Sequence, residues 1–114
     1  EHRVDSTIAD GCDVKVPGEQ TYEVVKHLVD EFILVTEEEI EHAMKDLMQR
    51  AKIITEGAGA LPTAAILSGK INNKWLEDKN VVALVSGGNV DLTRVSGVIE
   101  HGLNIADTSK GVVG

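Results

Sequence analysis

This sequence is poor in several residue types, and each shortage narrows what the chain can be. Its one cysteine, Cys12, excludes an internal disulfide framework and suits a reducing, cytoplasmic setting. No apolar run is long enough to span a membrane, and no secretory signal pattern is present. Basic charge is also scarce, with 11 Lys and Arg scattered among 19 Asp and Glu for a net charge of -8. Without a basic patch, nucleic-acid phosphates would be repelled rather than bound. The four histidines, at 2, 27, 42 and 101, have no paired ligand spacing and Cys12 has no cysteine partner, so no metal centre is indicated. Tyr22, Phe32 and Trp75 are the only aromatics, which leaves an aliphatic core. Hydrophobic residues still make up 42% of the 114, enough for one modest domain.

The apolar pattern is legible along most of the chain. The opening EHRVDSTIADG carries no helix or strand period and begins with Glu1, like a chain entered in its middle. CDVKV alternates as a short strand before the turn at Pro17-Gly18. Val24, Val25, Leu28 and Val29 form one helical stripe within Gln20 to Asp30. Phe32 to Val35 reads as a short buried strand. Thr36 with Glu39 forms a capping box, and Ile40, Ala43, Met44, Leu47, Met48 and Ala51 give the following helix a continuous apolar face. Glu37 to Glu39 sit in its first turn, where the helix dipole favours them. In EGAGALPTAAILSGK, Pro62 suits the first turn of a helix, small residues its packed body and Gly69 its end. Asn72 to Asn80 is a polar connection with a helical turn around Trp75. Val81 to Val85 is the clearest strand, and Asp91 to His101 the next helix, ended by Gly102; residues 104–114 are expected to fray. Strand–helix alternation with apolar strands predicts an α/β fold with a parallel sheet.

Two glycine-bearing stretches invite a chemical reading. GAGALP fails as a dinucleotide loop, because it follows a helix and Pro62 stands where the third glycine belongs; Gly57 and Gly59 read as small residues for tight packing. No serine-hydrolase elbow is present either, since Leu84 stands where its first glycine should be. SGGN, Ser86 to Asn89, is better placed. It follows the carboxyl end of a predicted strand, where open parallel sheets bind ligands. The Ser86 hydroxyl can donate or accept, while Gly87 and Gly88 admit a flat ring or an anion. Pattern alone supports a ligand contact and a plain strand–helix turn equally.

Taken together, TIADG (Thr7 to Gly11), the TEEEI helix start, EGAGA (Glu56 to Ala60) and SGGNVDL (Ser86 to Leu92) resemble the carboxyl-terminal third of the pyridoxal-phosphate-dependent serine/threonine dehydratases. The resemblance runs from Thr7 to about Leu103 and is greatest to the short, catabolic threonine dehydratases. It implies that the chain is part of the parallel-sheet large domain of a fold-type II enzyme, residues 1–114 forming a single carboxyl-terminal segment of the catalytic domain. It assigns Ser86 to the pyridine nitrogen of pyridoxal phosphate, with Gly87, Gly88 and Asn89 in the same turn. Gly11 would pack on the ring face, Asp10 would order its loop, and Glu56 would lie near the ring. A neutral hydroxyl at the ring nitrogen weakens the ring as an electron sink, which suits elimination.

The departures from the family pattern matter equally. The family's S-x-K-x-R-G lysine segment and its phosphate-binding glycine run do not occur; the lysines at 15, 26, 45, 52, 70, 74, 79 and 110 all lack that context. The resemblance therefore implies a segment of an enzyme that converts L-threonine to 2-oxobutanoate and ammonia, with L-serine as a slower substrate. The 114 residues alone are expected to be inactive. AMP as an effector and a homo-oligomeric state also follow from it. The rival readings are a serine racemase or serine dehydratase segment, and a non-catalytic nucleotide-binding or assembly module. As a segment, the chain is expected to bare apolar faces such as Val24/Leu28 or Met44/Met48, and so to self-associate or be only marginally stable.

Overall fold

The structure, a computed structural model, describes residues 6–101. Its centre is a pair of packed helices, α2 (Glu37–Asp46) and α3 (Gly57–Leu67). Ala43 of α2 and Ala60 and Ala64 of α3 are wholly buried, so small side chains let the two backbones approach closely. Ile40, Met44 and Leu47 close the same core from α2, Ala9 from the amino-terminal loop, and Val98 from a helix over residues 92–101, here α5.

Local signals set the helix boundaries. The Thr36 hydroxyl accepts from the Glu39 amide at 3.2 Å and the Glu39 carboxylate accepts from the Thr36 amide at 2.8 Å, which completes the expected capping box. Beyond Asp46 the helix widens into a π turn, Leu47–Ala51, closed by Lys52 at φ 60°. Gly69, at φ 73°, ends α3 in the left-handed conformation expected of a helix-stopping glycine. Lys70 then ties this end to α2, its Nζ donating to the Glu39 carboxylate at 2.8 Å and to the Leu34 carbonyl at 2.9 Å. That contact with Lys70, followed by the bond from the Thr36 amide, holds the Glu39 carboxyl below its usual range. A single helical turn, α4 (Asn73–Leu76), surrounds Trp75 as expected. The helix over Gln20 to Asp30 becomes α1 (Glu19–Leu28), none of whose residues is buried.

Three expectations are corrected. First, CDVKV, Phe32 to Val35 and Val81 to Val85 form no strand among the described residues, which are helical and irregular, so the parallel sheet is not seen. A strand is defined by a ladder to a neighbour, and no such ladder lies among these residues. The period of two nevertheless survives in exposure. Ile33, Val35, Ala83 and Val85 are half-buried, while Phe32, Leu34, Val82 and Leu84 between and beside them are exposed.

Second, Pro62 lies inside α3 rather than in its first turn. The helix begins at Gly57, earlier than the proline suggested, and Pro62 has no amide to give the Ala58 carbonyl. Third, Met44 and Met48 are not a bare face: Met44 is buried in the core and Met48 packs against it. The Val24/Leu28 expectation holds, with Leu28 73% exposed. Gly102 and the tail at 104–114 lie outside the described residues.

Candidate functional site

Three loops meet at the amino-terminal end of α3. The first is Thr7 to Cys12, whose Asp10–Cys12 portion is a 3-10 turn lying against α3. The Glu37 carboxylate, in the first turn of α2, accepts from the Thr7 hydroxyl and, at 2.7 Å, from the Ile8 amide. The Arg94 guanidinium donates to the Ile8 carbonyl at 3.2 Å. A side chain at Gly57 would meet that same carbonyl, its Cβ lying 2.4 Å away. Gly11 rests on Ala58, where an added Cβ would stand 3.3 Å from the alanine methyl.

The second loop is Ser86 to Asn89. Thr55 holds it from below: its buried hydroxyl faces the Ser86 carbonyl at 2.9 Å, the Gly87 carbonyl at 3.1 Å and the Glu56 carbonyl at 3.1 Å. Gly59 lets this turn sit directly on α3, since a Cβ there would lie 1.5 Å from the Ser86 carbonyl oxygen. Gly87 has φ 69°, a conformation open to glycine, and the Glu56 carboxylate occupies the space where its side chain would be. The Ser86 side chain is exposed and makes no hydrogen bond among the described residues. A Cβ on Gly88 would meet only the Ile54 carbonyl, at 3.9 Å.

The third is the start of α5. Asp91 caps it, accepting from the Thr93 amide at 2.9 Å and the Thr93 hydroxyl at 2.8 Å. Those bonds, with the Arg94 charge nearby, hold the Asp91 carboxyl below its usual range. Between the loops lies a cavity of about 210 Å³ lined by Asp10, Glu56, Asn89, Asp91 and Arg94, among others.

The structure thus brings Asp10, Glu56 and Asn89 to one cavity, with Gly87 under the Glu56 carboxylate and Gly11 on the adjoining turn. Ser86 and Gly88 stand on the same loop without lining that cavity. Thr55, Asp91 and Arg94 were not anticipated as site residues. The signals available were slight: a lone threonine beside EGAGA, and a D-x-T-R helix start. Gly57 and Gly59 serve the tight packing read from the sequence. No group of His, Cys, Asp and Glu suited to a metal is found among the described residues. No helix there is long and apolar enough to cross a membrane.

The family model described as pyridoxal-phosphate dependent enzyme matches residues 1–87. A protein named L-threonine dehydratase catabolic TdcB from Staphylococcus aureus is 99% identical over all 114 residues, which cover 33% of its length. The protein of that name from Escherichia coli K12 is 54% identical over 95 residues, 83% of this chain and 29% of that one. The chain therefore spans about a third of the length of the curated relatives it matches. Among solved structures, maize serine racemase superposes with a TM-score of 0.70 at 36% identity, over 90% of this chain and 31% of that one. With a family model covering most of its length and a whole-chain match at near identity, the chain belongs to the pyridoxal-phosphate dependent enzyme family.

Proposed function

We propose that this chain is the carboxyl-terminal segment of the catalytic domain of a threonine dehydratase, where it forms one wall of the pyridoxal-phosphate site. The observation that carries the reading is identity of 99% over every residue to a protein named as a catabolic L-threonine dehydratase. The reaction would take L-threonine to 2-oxobutanoate and ammonia, with L-serine as the slower substrate; the likeness to maize serine racemase fits serine as a ligand of related sites.

The residues present fit one part of the cofactor and not another. Ser86 offers an exposed, uncommitted hydroxyl on a turn of fixed shape, suited to a ring nitrogen. Gly87 and Gly88 keep side chains off that edge. The neighbouring cavity carries three carboxylates, Asp10, Glu56 and Asp91, against the single guanidinium of Arg94, which is hostile to a phosphate. No lysine lines it, and Lys70 is occupied by Glu39 and the Leu34 carbonyl. We therefore assign Ser86, Gly87, Gly88, Asn89 and Gly11 to the ring side. Asp10 and Glu56 shape the loops around it.

When bound, pyridoxal phosphate supplies an electron-accepting ring that labilises the substrate's α-proton and β-hydroxyl. Ser86 would hold the ring nitrogen without delivering a full charge to it. Glu56, lying over Gly87, would keep that turn and the Asp10–Cys12 turn at fixed separation. The exposed apolar residues Leu28 and Phe32 suit a homo-oligomer, and AMP as an effector stays part of the proposal. An exposed free thiol at Cys12 suits the cytoplasm.

The test uses a protein of the relatives' full length carrying this sequence. Ser86→Ala should weaken cofactor binding by roughly two- to tenfold, the worth of one neutral hydrogen bond. The 114 residues alone should release no ammonia from threonine. Unchanged cofactor affinity in Ser86→Ala, or turnover by the isolated chain, would overturn the reading.

A further inference from the structure

We propose that Thr55 is a positioning residue: by holding the Ser86 and Gly87 carbonyls, its hydroxyl sets the direction in which Ser86 presents its own. The inference rests on the reading of Ser86 as the ring-nitrogen contact. Three observations carry it. Thr55 is 2% exposed, and its single O–H faces the three carbonyls of Ser86, Gly87 and Glu56. Every one of those acceptors belongs to the SGGN turn or to Glu56, the residue just before α3. The Ser86 carbonyl has no other hydrogen-bond donor among the described residues, and Gly87 has only a long bond, 3.4 Å, from the Glu56 amide.

The turn has little else to orient it. Ser86 is followed by two glycines, the residues with the widest backbone freedom, and its own side chain is free of protein partners among the described residues. Gly59 brings the Ser86 carbonyl down onto α3, with room for no side chain between them. Contact alone permits the peptide plane to rock, whereas a directional bond from a buried, rotamer-restricted threonine does not. A valine would fill the same volume. What threonine adds is the donor, and two of its three acceptors among the described residues, the Ser86 carbonyl being the nearest, are in this turn. Misplacing a site group by about 1 Å can lower a rate by orders of magnitude.

The test compares Thr55→Val, Thr55→Ser and Ser86→Ala in a protein of the relatives' full length. The readouts are amide hydrogen exchange at residues 86–90 in the cofactor-free protein, the dissociation constant for pyridoxal phosphate, and kcat and KM for threonine. Thr55→Val should speed exchange there and weaken cofactor binding, each by about tenfold, with kcat falling more than KM changes. Thr55→Ser, which keeps the hydroxyl, should remain within about threefold of the parent. Where Thr55→Val fails to fold, Thr55→Ala against Thr55→Ser gives the same comparison. A folded Thr55→Val with unchanged exchange and affinity overturns the proposal, as does Thr55→Ser impaired to the same degree. If Ser86→Ala weakens binding while Thr55→Val does not, the positioning role alone fails. If Ser86→Ala changes nothing, the ring-nitrogen reading fails and the positioning role falls with it.

Discussion

Replacing Gly59 with alanine adds one methyl group where the structure has no room for it. The new Cβ would stand 1.5 Å from the Ser86 carbonyl oxygen and 2.4 Å from the Thr55 hydroxyl. The carbonyl must retreat by about 1.5 Å even to reach 3.0 Å, and that retreat breaks its bond to Thr55. Overpacking of this kind costs about 1–3 kcal/mol, and the lost hydrogen bond about 0.5–1.5 kcal/mol more. Against this, alanine is favoured over glycine in a helix by about 1 kcal/mol. The net loss should be about 1–3 kcal/mol, read as a lower urea midpoint at unchanged slope in a protein of the relatives' full length. Gly97→Ala in α5 is the matched control, because nothing lies within 4 Å of its added Cβ. There the helix preference acts alone, and stability should rise by up to about 1 kcal/mol. If Gly59→Ala matches the parent or exceeds it, the close seating of the SGGN turn on α3 is wrong.

Three further outcomes are expected. Met44→Ala, emptying a fully buried position, should cost about 2–5 kcal/mol, whereas Leu28→Ala on the open face of α1 should stay within about 0.5 kcal/mol; equal losses would contradict the assignment of the core to α2 and α3. Thr36→Ala should cost about 0.5–2 kcal/mol by removing the helix cap, measurable by thermal melting. The Glu39 carboxyl titrates below its unfolded value, so its stabilising effect is full above that unfolded value and fades as pH falls through the folded one. The melting difference between the parent and Glu39→Gln should therefore be largest near neutrality and vanish in acid; a difference that grows on acidification would refute the Glu39–Lys70 contact.

The α2 cap could be read from Thr36 and Glu39 because both partners lie within one turn, and local signals of that kind need no tertiary context. The stopping role of Gly69 was legible for the same reason, whereas the packing role of Gly57 and Gly59 was legible from residue size alone, their partners Ile8 and Ser86 lying far off in sequence. Pro62 misled because tertiary contacts, Gly57 beneath the Ile8 carbonyl and Gly59 beneath the Ser86 carbonyl, begin α3 before the proline. The stretches Phe32 to Val35 and Val81 to Val85 kept their alternation of exposure but have no ladder among the described residues, which pattern cannot supply. Thr55 escaped notice since its acceptors are distant in sequence and its residue type is unremarkable in a loop. The family motifs drew attention to Ser86, Gly11 and Glu56; only the structure shows the contacts around them.

The Glu56 carboxylate fills the volume that any side chain on residue 87 would need, and Gly87 sits at φ 69° besides. Two positions far apart in the chain thus share one piece of space. Shortening Glu56 would vacate it but leave the left-handed backbone intolerant of most residues, while a bulkier residue 87 would expel the carboxylate. Among descendants of this sequence, residue 87 should stay glycine wherever residue 56 stays long. Loss of that glycine should follow, never precede, change at residue 56.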